Sequence, residues 1–197
     1  MNQVIAVFFM GYSGSGKDTQ ADLLRQYLEK RGESVFWVST GDIMREAVKQ
    51  GTFAGRMIDK KVMKAGKFAP PFAATWAWAA GVMPHFQEGQ HIVFPSSPRT
   101  LEEAHDLDDF ADFFDLRSCP LFVDVAREEA FRRLKARGRA DDTDDVINHR
   151  LDTFIEKALP AVEYFRSESK NGLITIDGNP SDPLQIHDAI VKALKFA

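Results

Sequence analysis

The 197-residue sequence predicts an α/β domain, a doubly wound five-stranded parallel sheet with helices on both faces. Three observations carry that prediction. Short apolar runs at residues 4–10, 34–38, 91–94, 121–125 and 173–176 alternate with longer segments of helical period. Helical connections between consecutive strands require parallel pairing and right-handed crossovers. The first run also ends directly in a glycine-rich turn that opens a helix, residues 11–19 reading GYSGSGKDT. With 44% hydrophobic residues, one domain spanning 1–197 can bury a full core, with small insertions at most.

In that turn Gly11, Gly14 and Gly16 permit positive φ, so consecutive backbone N–H groups, those of Ser15 and Gly16 among them, can converge on one anion. The helix starting at Lys17 contributes its dipole, and Lys17 a full positive charge. Gly11, Gly16 and Lys17 satisfy G-x-x-x-x-G-K, the spacing of a P-loop that cradles nucleotide phosphates. The hydroxyl expected directly after the lysine is replaced by Asp18, and Thr19 follows one place late.

The remaining elements follow in order. Ala21, Leu24 and Leu28 give the helix 17–30 its apolar stripe, and Gly32 can end it. After the strand at 34–38, Ser39 to Asp42 offer caps for a helix over 43–50, and Thr52 caps another reaching about Met63, closed by Gly66. Pro70 and Pro71 start a helix that holds Trp76 and Trp78 and ends before Pro84. The strand at 91–94 precedes an acidic helix over 101–114, whose carboxylates are expected to form a solvated face. A basic helix at 127–137 follows the fourth strand, then a brief stretch at 138–142. A long helix from 143 or 144 to 168 should kink at Pro160, and a closing helix runs over 183–196.

Composition excludes several functions. A net charge of −4 and a pI near 5.7 oppose general binding to nucleic acid or to anionic membrane. The single cysteine, Cys119, allows no intrachain disulfide; burial and a reducing, cytoplasmic setting are expected. The first apolar run is too short to span a bilayer and has no basic leader before it. The five histidines show no metal-ligand spacing, so structural or surface roles are expected for them. Trp76 and Trp78 cannot face the same way on a helix, so core packing is expected rather than a stacking site.

Five short motifs, in one order along the chain, resemble the adenylate kinase family over nearly its whole length. GSGKDTQ at 14–20 resembles the family's G-x-G-K-G-T-Q, and STGDIMR at 39–45 matches S-T-G-D-x-x-R. AGKFAP at 65–70 resembles A-G-K-L-V-x, and SPRT at 97–100 matches the end of D-G-F-P-R-T. RGRADD at 137–142 with Arg150 further on resembles G-R-x-D-D followed by R-L. The resemblance implies a P-loop kinase fold with a helical insertion for the nucleoside monophosphate (NMP) at 41–72 and a short lid at 138–142. It implies ATP binding by Gly14, Ser15, Gly16, Lys17, Asp18 and Thr19, with Arg133 against the donor adenine and Arg137 toward the phosphates. Thr40, Arg45, Lys67, Ala69, Arg99, Glu103, Arg139 and Arg150 would hold the acceptor, and Lys17, Arg99, Arg137, Arg139 and Arg150 would stabilise the charge in flight. These roles make physical sense, since phosphoryl transfer asks mainly for positioning and charge neutralisation, and arginine forks bind phosphate bidentately.

Two departures stand on the acceptor and metal side. Pro95, Ser96 and Ser97 replace the family's Asp, Gly and Phe, so its magnesium-ordering carboxylate after the third strand is missing. Magnesium, the implied cofactor, would then depend on the nucleotide phosphates, Thr19 and ordered waters, helped by Asp18 or Asp42, in a weaker site. Glu103 stands where the family commonly has an adenine-reading Gln. The expected activity is transfer of the γ-phosphoryl of Mg-ATP to AMP by a monomer. The alternatives are a GMP- or pyrimidine-preferring kinase and a catalytically weak nucleotide sensor.

Overall fold

The computed structural model describes residues 3–139 and 142–196. The strands are β1 (Ile5–Met10), β2 (Val35–Trp37), β3 (His91–Phe94), β4 (Arg117–Asp124) and β5 (Ile174–Asp177). They form one parallel sheet in the order β2-β3-β1-β4-β5. The chain leaves β1 toward β2, returns to β3, and then crosses to β4 on the far side. The two neighbours β1 and β3 therefore send their chains in opposite directions, which opens a crevice at their carboxyl ends.

Every residue of β1 is buried, and alternation divides them between two cores. Ile5, Val7 and Phe9 pack with residues of α1 (Lys17–Lys30), and Ala6, Phe8 and Met10 lie on the opposite face. The first core also takes in α6 (Arg127–Arg137), α7 (Asp144–Thr153) and α9 (Pro183–Leu194). The second takes in α4 (Pro71–Val82), α5 (Leu101–Phe113) and α8 (Leu159–Ser167). Each fully buried Leu or Phe in these layers contributes about 1.5–3 kcal/mol, so the strand that carries the glycine loop is firmly anchored. A smaller third cluster, Met44, Ala47, Ile58, Ala73 and Ala77, joins α2 (Thr40–Lys49) and α3 (Phe53–Ile58) to α4.

Several expectations are corrected. The helix expected from residue 43 begins at Thr40, because the Ser39 hydroxyl accepts from the Asp42 N–H at 3.3 Å. The helix after Thr52 passes into a π-helical turn at Asp59–Met63. The long C-terminal helix yields before Pro160 through another π turn, Phe154–Ala158, after which Leu159 N–H reaches back to Phe154 O. β4 starts at Arg117 and runs through Pro120; β5 pairs only from Leu121 onward, so Pro120 lies before that ladder begins.

The acidic face of α5 is only partly solvated: Glu103 and Asp108 are buried, at 1% and 7% exposure. Asp108 accepts from Tyr164 Oη at 2.9 Å and from Ser169 Oγ and Asn171 Nδ2 at 2.8 Å, tying α5 to the segment before β5. Trp78 packs in the core as expected, but Trp76 is 49% exposed, since two residues turn a helical side chain to the other face. Cys119 is buried, and desolvation raises its thiol pKa. His91 has the expected structural role, its Nδ1 accepting from Ile5 N–H at 3.1 Å and its Nε2 lying 3.0 Å from Glu33 Oε2. Among the described residues no helix is long and apolar enough to cross a membrane.

Candidate active site

The glycine loop leaves β1 at the mouth of the crevice. Gly11, Gly14 and Gly16 have φ of 147°, 87° and 88°, as the spacing predicts. At Gly14 a Cβ would stand 2.7 Å from Ala130 O and 2.9 Å from Leu134 Cγ, so the loop lies directly on the backbone of α6. Gly16 faces open space and is required by its dihedral alone, which turns the chain into α1. Buried Ser15 stabilises the turn, donating its N–H to Tyr12 O at 3.0 Å and accepting at Oγ from Lys17 N–H at 3.4 Å. The Lys17 ammonium reaches Tyr12 O at 3.4 Å. Desolvation lowers its pKa, and Arg99 and Arg137 push the same way against Asp18.

Three cavities with Arg99 as a common wall lie in the crevice. The smallest, about 90 Å³, is bordered by Gly11, Ser13, Lys17, Ser96, Arg99 and Arg150. A second, about 230 Å³, is bordered by Thr40, Arg45, Lys67, Ala69, Arg99 and Glu103. A third, about 410 Å³, is bordered by Asp18, Asp42, Arg45, Ser96, Arg99 and Arg139. Arg99 is a wall of all three, held by Nε donating to Ser96 O at 2.9 Å and by the face of Phe68 at 5.4 Å. Arg45 forms an ion pair with Asp42 on the same helix face.

Glu103 is the least expected wall. Its Oε2 accepts from Arg99 N–H at 2.7 Å, while its Oε1 has no partner among the described residues. Burial raises its pKa against that backbone bond. The sequence carried the signal: residue 103 shares a helix face with two core positions, Leu107 and Phe110.

The arginines at the end of α6, just beyond it and in α7 are organised by a residue of the RGRADD motif to which the sequence assigned no role. Asp142 accepts from Arg137 Nη2 and from Arg150 Nη1, both at 2.8 Å, and from Arg139 N–H at 3.3 Å. The Arg137 bond first of all lowers its carboxyl pKa to about 2. Ala140 and Asp141 of the expected lid 138–142 lie outside the described residues. Arg133 is set apart, bonded to Glu129 Oε1 at 2.7 Å and to the carbonyls of Gly178 and Asn179 at 2.9 and 3.1 Å. With Ser15, Gly16 and Thr19 it borders a cavity of about 300 Å³ on the far side of the loop. Thr19 thus borders the same cavity as Arg133, and Asp18 is bonded to Ser96 just beyond the end of β3.

A phosphate loop at the β1/β3 crevice, facing a second pocket across a shared arginine, defines a P-loop phosphotransferase. Comparison with known proteins agrees with that class. The profile of the adenylate kinase family matches residues 9–170. The adenylate kinase of Leptospira biflexa is 32% identical over 166 residues, 82% of this chain and 86% of that protein. That of Thermus thermophilus is 32% identical over 180 residues, 88% of each chain. That of Bacteroides thetaiotaomicron is 30% identical over 196 residues, 95% of this chain and all of the relative, 100%. The chain belongs to the adenylate kinase family. It is a phosphotransferase acting on nucleoside monophosphates.

Proposed function

We propose that this chain transfers the γ-phosphoryl group of Mg-ATP to AMP. The observation that carries the reading is Arg99, a wall common to the Lys17 cavity and to the cavity of Thr40, Lys67 and Glu103. An arginine shared in this way holds two phosphates within reach of each other, which is most of what phosphoryl transfer asks of a protein. The N–H groups around Gly14, Ser15 and Gly16 receive the donor phosphates, and Lys17 regains a negative partner there. Arg137 and Arg150 reach the same phosphates from the Asp142 cluster, with Arg139 across the third cavity. Arg133 and the carbonyls at 178–179 flank the donor base. Arg45 and Arg99 take the acceptor phosphate, and the segment 41–72 with Glu103 encloses its base.

Magnesium fits this donor set. It favours hard oxygen ligands and is usually held by one or two carboxylates plus substrate phosphates. The Asp18 carboxylate and the Ser96 hydroxyl stand together beside Lys17 and Arg99. When bound, the ion neutralises charge on the donor phosphates.

A second reading, GMP as acceptor, is favoured by one observation, the unpartnered Oε1 of Glu103. An ionised carboxylate only accepts, and guanine presents two adjacent donors where adenine offers one beside a bare N1; a protonated Glu103, the form that burial favours, would instead donate to that N1. The shared name of the relatives favours AMP. A coupled assay of ATP against AMP, GMP, CMP and UMP decides between them. AMP should give the largest kcat/KM; a larger value for GMP would establish the second reading, and no turnover with any of the four would remove both.

A further inference from the structure

P-loop proteins commonly position magnesium between a hydroxyl that directly follows the loop lysine and a carboxylate near the end of a neighbouring strand. In this chain the residue after Lys17 is Asp18, and β3 ends at Phe94 with Pro95 and Ser96 beyond it. The structure joins these two places, Ser96 Oγ donating to Asp18 Oδ1 at 2.6 Å. The hydroxyl and the carboxylate are both present and bonded to each other, with their positions on loop and strand end exchanged. We propose that Asp18, oriented by Ser96, is the carboxylate that positions the magnesium of bound ATP in this protein.

The other nearby acid is committed elsewhere. Asp42 is ion-paired to Arg45 one turn along the same helix. Asp18 is exposed at the mouth of the crevice, and no hydrogen bond to its Oδ2 occurs among the described residues. The exchange has an electrostatic consequence. A carboxylate adjoining Lys17 repels a bare triphosphate and attracts one that carries a divalent cation, so the site discriminates between the two. Ser96 acts as a positioning residue, holding one carboxylate oxygen so that the other stays turned to the crevice.

The inference rests on the Mg-ATP reading above, and the test separates the two. ATP affinity is measured by calorimetry without acceptor, once in EDTA and once with excess Mg²⁺, for wild type, Asp18→Asn and Ser96→Ala. Mn²⁺ electron paramagnetic resonance of the ATP complex reports the ion directly. Asp18→Asn should tighten metal-free ATP and weaken Mg-ATP. The metal-dependent gain should fall on the order of tenfold, the lower range for losing a group that orients a metal site. The Mn²⁺ spectrum should change with it, and the melting temperature should hold, because the exposed side chain is replaced isosterically. Ser96→Ala should lower the gain by a smaller factor. An unchanged gain in Asp18→Asn overturns the role of Asp18, and a wild-type gain in Ser96→Ala overturns the orienting role of Ser96. If wild type binds ATP equally with and without Mg²⁺, the Mg-ATP reading falls and this inference falls with it.

Discussion

A methyl group added at Gly14 would meet a main-chain carbonyl, Ala130 O, at 2.7 Å; one added at Gly66, on the rim of the acceptor cavity, would meet nothing within 4 Å. The contrast belongs to these two positions: Gly16 in the same loop meets nothing within 4 Å, and a Cβ at Gly55 in α3 would run into the Ala47 carbonyl. The donor loop follows a fully buried strand and lies on the backbone of β4 and α6, so main chain fixes its shape. The acceptor cavity is walled by side chains of α2, α5 and the turn around Gly66, over a cluster of only five buried residues. Backbone cannot be altered residue by residue, whereas side chains can. On the function proposed above, phosphate chemistry is then the constrained half of this protein, and base choice the adjustable one.

The strongest way to test that contrast is Lys17→Met. It should lower kcat on the order of a thousandfold, about 4 kcal/mol, with no loss of thermal stability, because the ammonium serves developing phosphate charge and its bond to Tyr12 O is long, at 3.4 Å. Near-normal turnover would end the P-loop kinase reading. Next in size is the pair of alanines. Gly14→Ala should destabilise by about 2–4 kcal/mol in urea titrations and weaken ATP binding, since strained φ and a carbonyl clash combine. Gly66→Ala, with φ of 61° and open space, should cost only about 1–2 kcal/mol and leave ATP affinity alone. Equal losses would erase the distinction between the halves.

On the adjustable side, Glu103→Gln should shift the AMP to GMP ratio of kcat/KM toward AMP on the order of tenfold, about 1.4 kcal/mol. An unmoved ratio would hand base selection to the walls around Lys67 and Ala69. The smallest expected effect concerns stability. Burial holds the folded-state carboxyl of Glu103 above its unfolded value. Its contribution is thus full below the unfolded pKa and is lost as pH rises through the folded one. Glu103→Gln should raise the melting temperature by a few degrees near pH 7 and leave it unchanged near pH 3, in line with about 1 kcal/mol. A pH-independent shift would mean that packing, and not ionisation, is responsible.

Sequence and structure agree best where one local pattern settles the matter. The run before Gly11, the three positive-φ glycines and the helix at Lys17 all follow from local chemistry, and β3 begins and ends where its apolar run does. The π turns at 59–63 and 154–158 were not legible, because they answer to packing against neighbours that no local pattern names. The extension of β4 back through Pro120 was hidden for the same reason: whether a proline is tolerated depends on where the adjacent strand starts. At the site, Lys17 and Arg99 border one cavity, and Thr40, Arg45, Lys67, Ala69 and Glu103 border a second together with Arg99. The partnership of Asp18 with Ser96 spans 78 positions and leaves no local signature. Asp142 was in view within RGRADD, but its three-way bonding appears only once α6 and α7 are placed side by side.

That bonding has a thermodynamic reading. Guanidinium groups exposed to solvent gather mobile anions, and a phosphate that binds them must displace those ions, which makes affinity depend on ionic strength. Arg137 and Arg150 carry a tethered anion instead, the Asp142 carboxylate at 2.8 Å from each. An arriving triphosphate exchanges with, or shares, a partner that belongs to the chain and cannot diffuse away. The protein thus holds its own counterion, and the grip of this part of the site on ATP should be buffered against changes in salt.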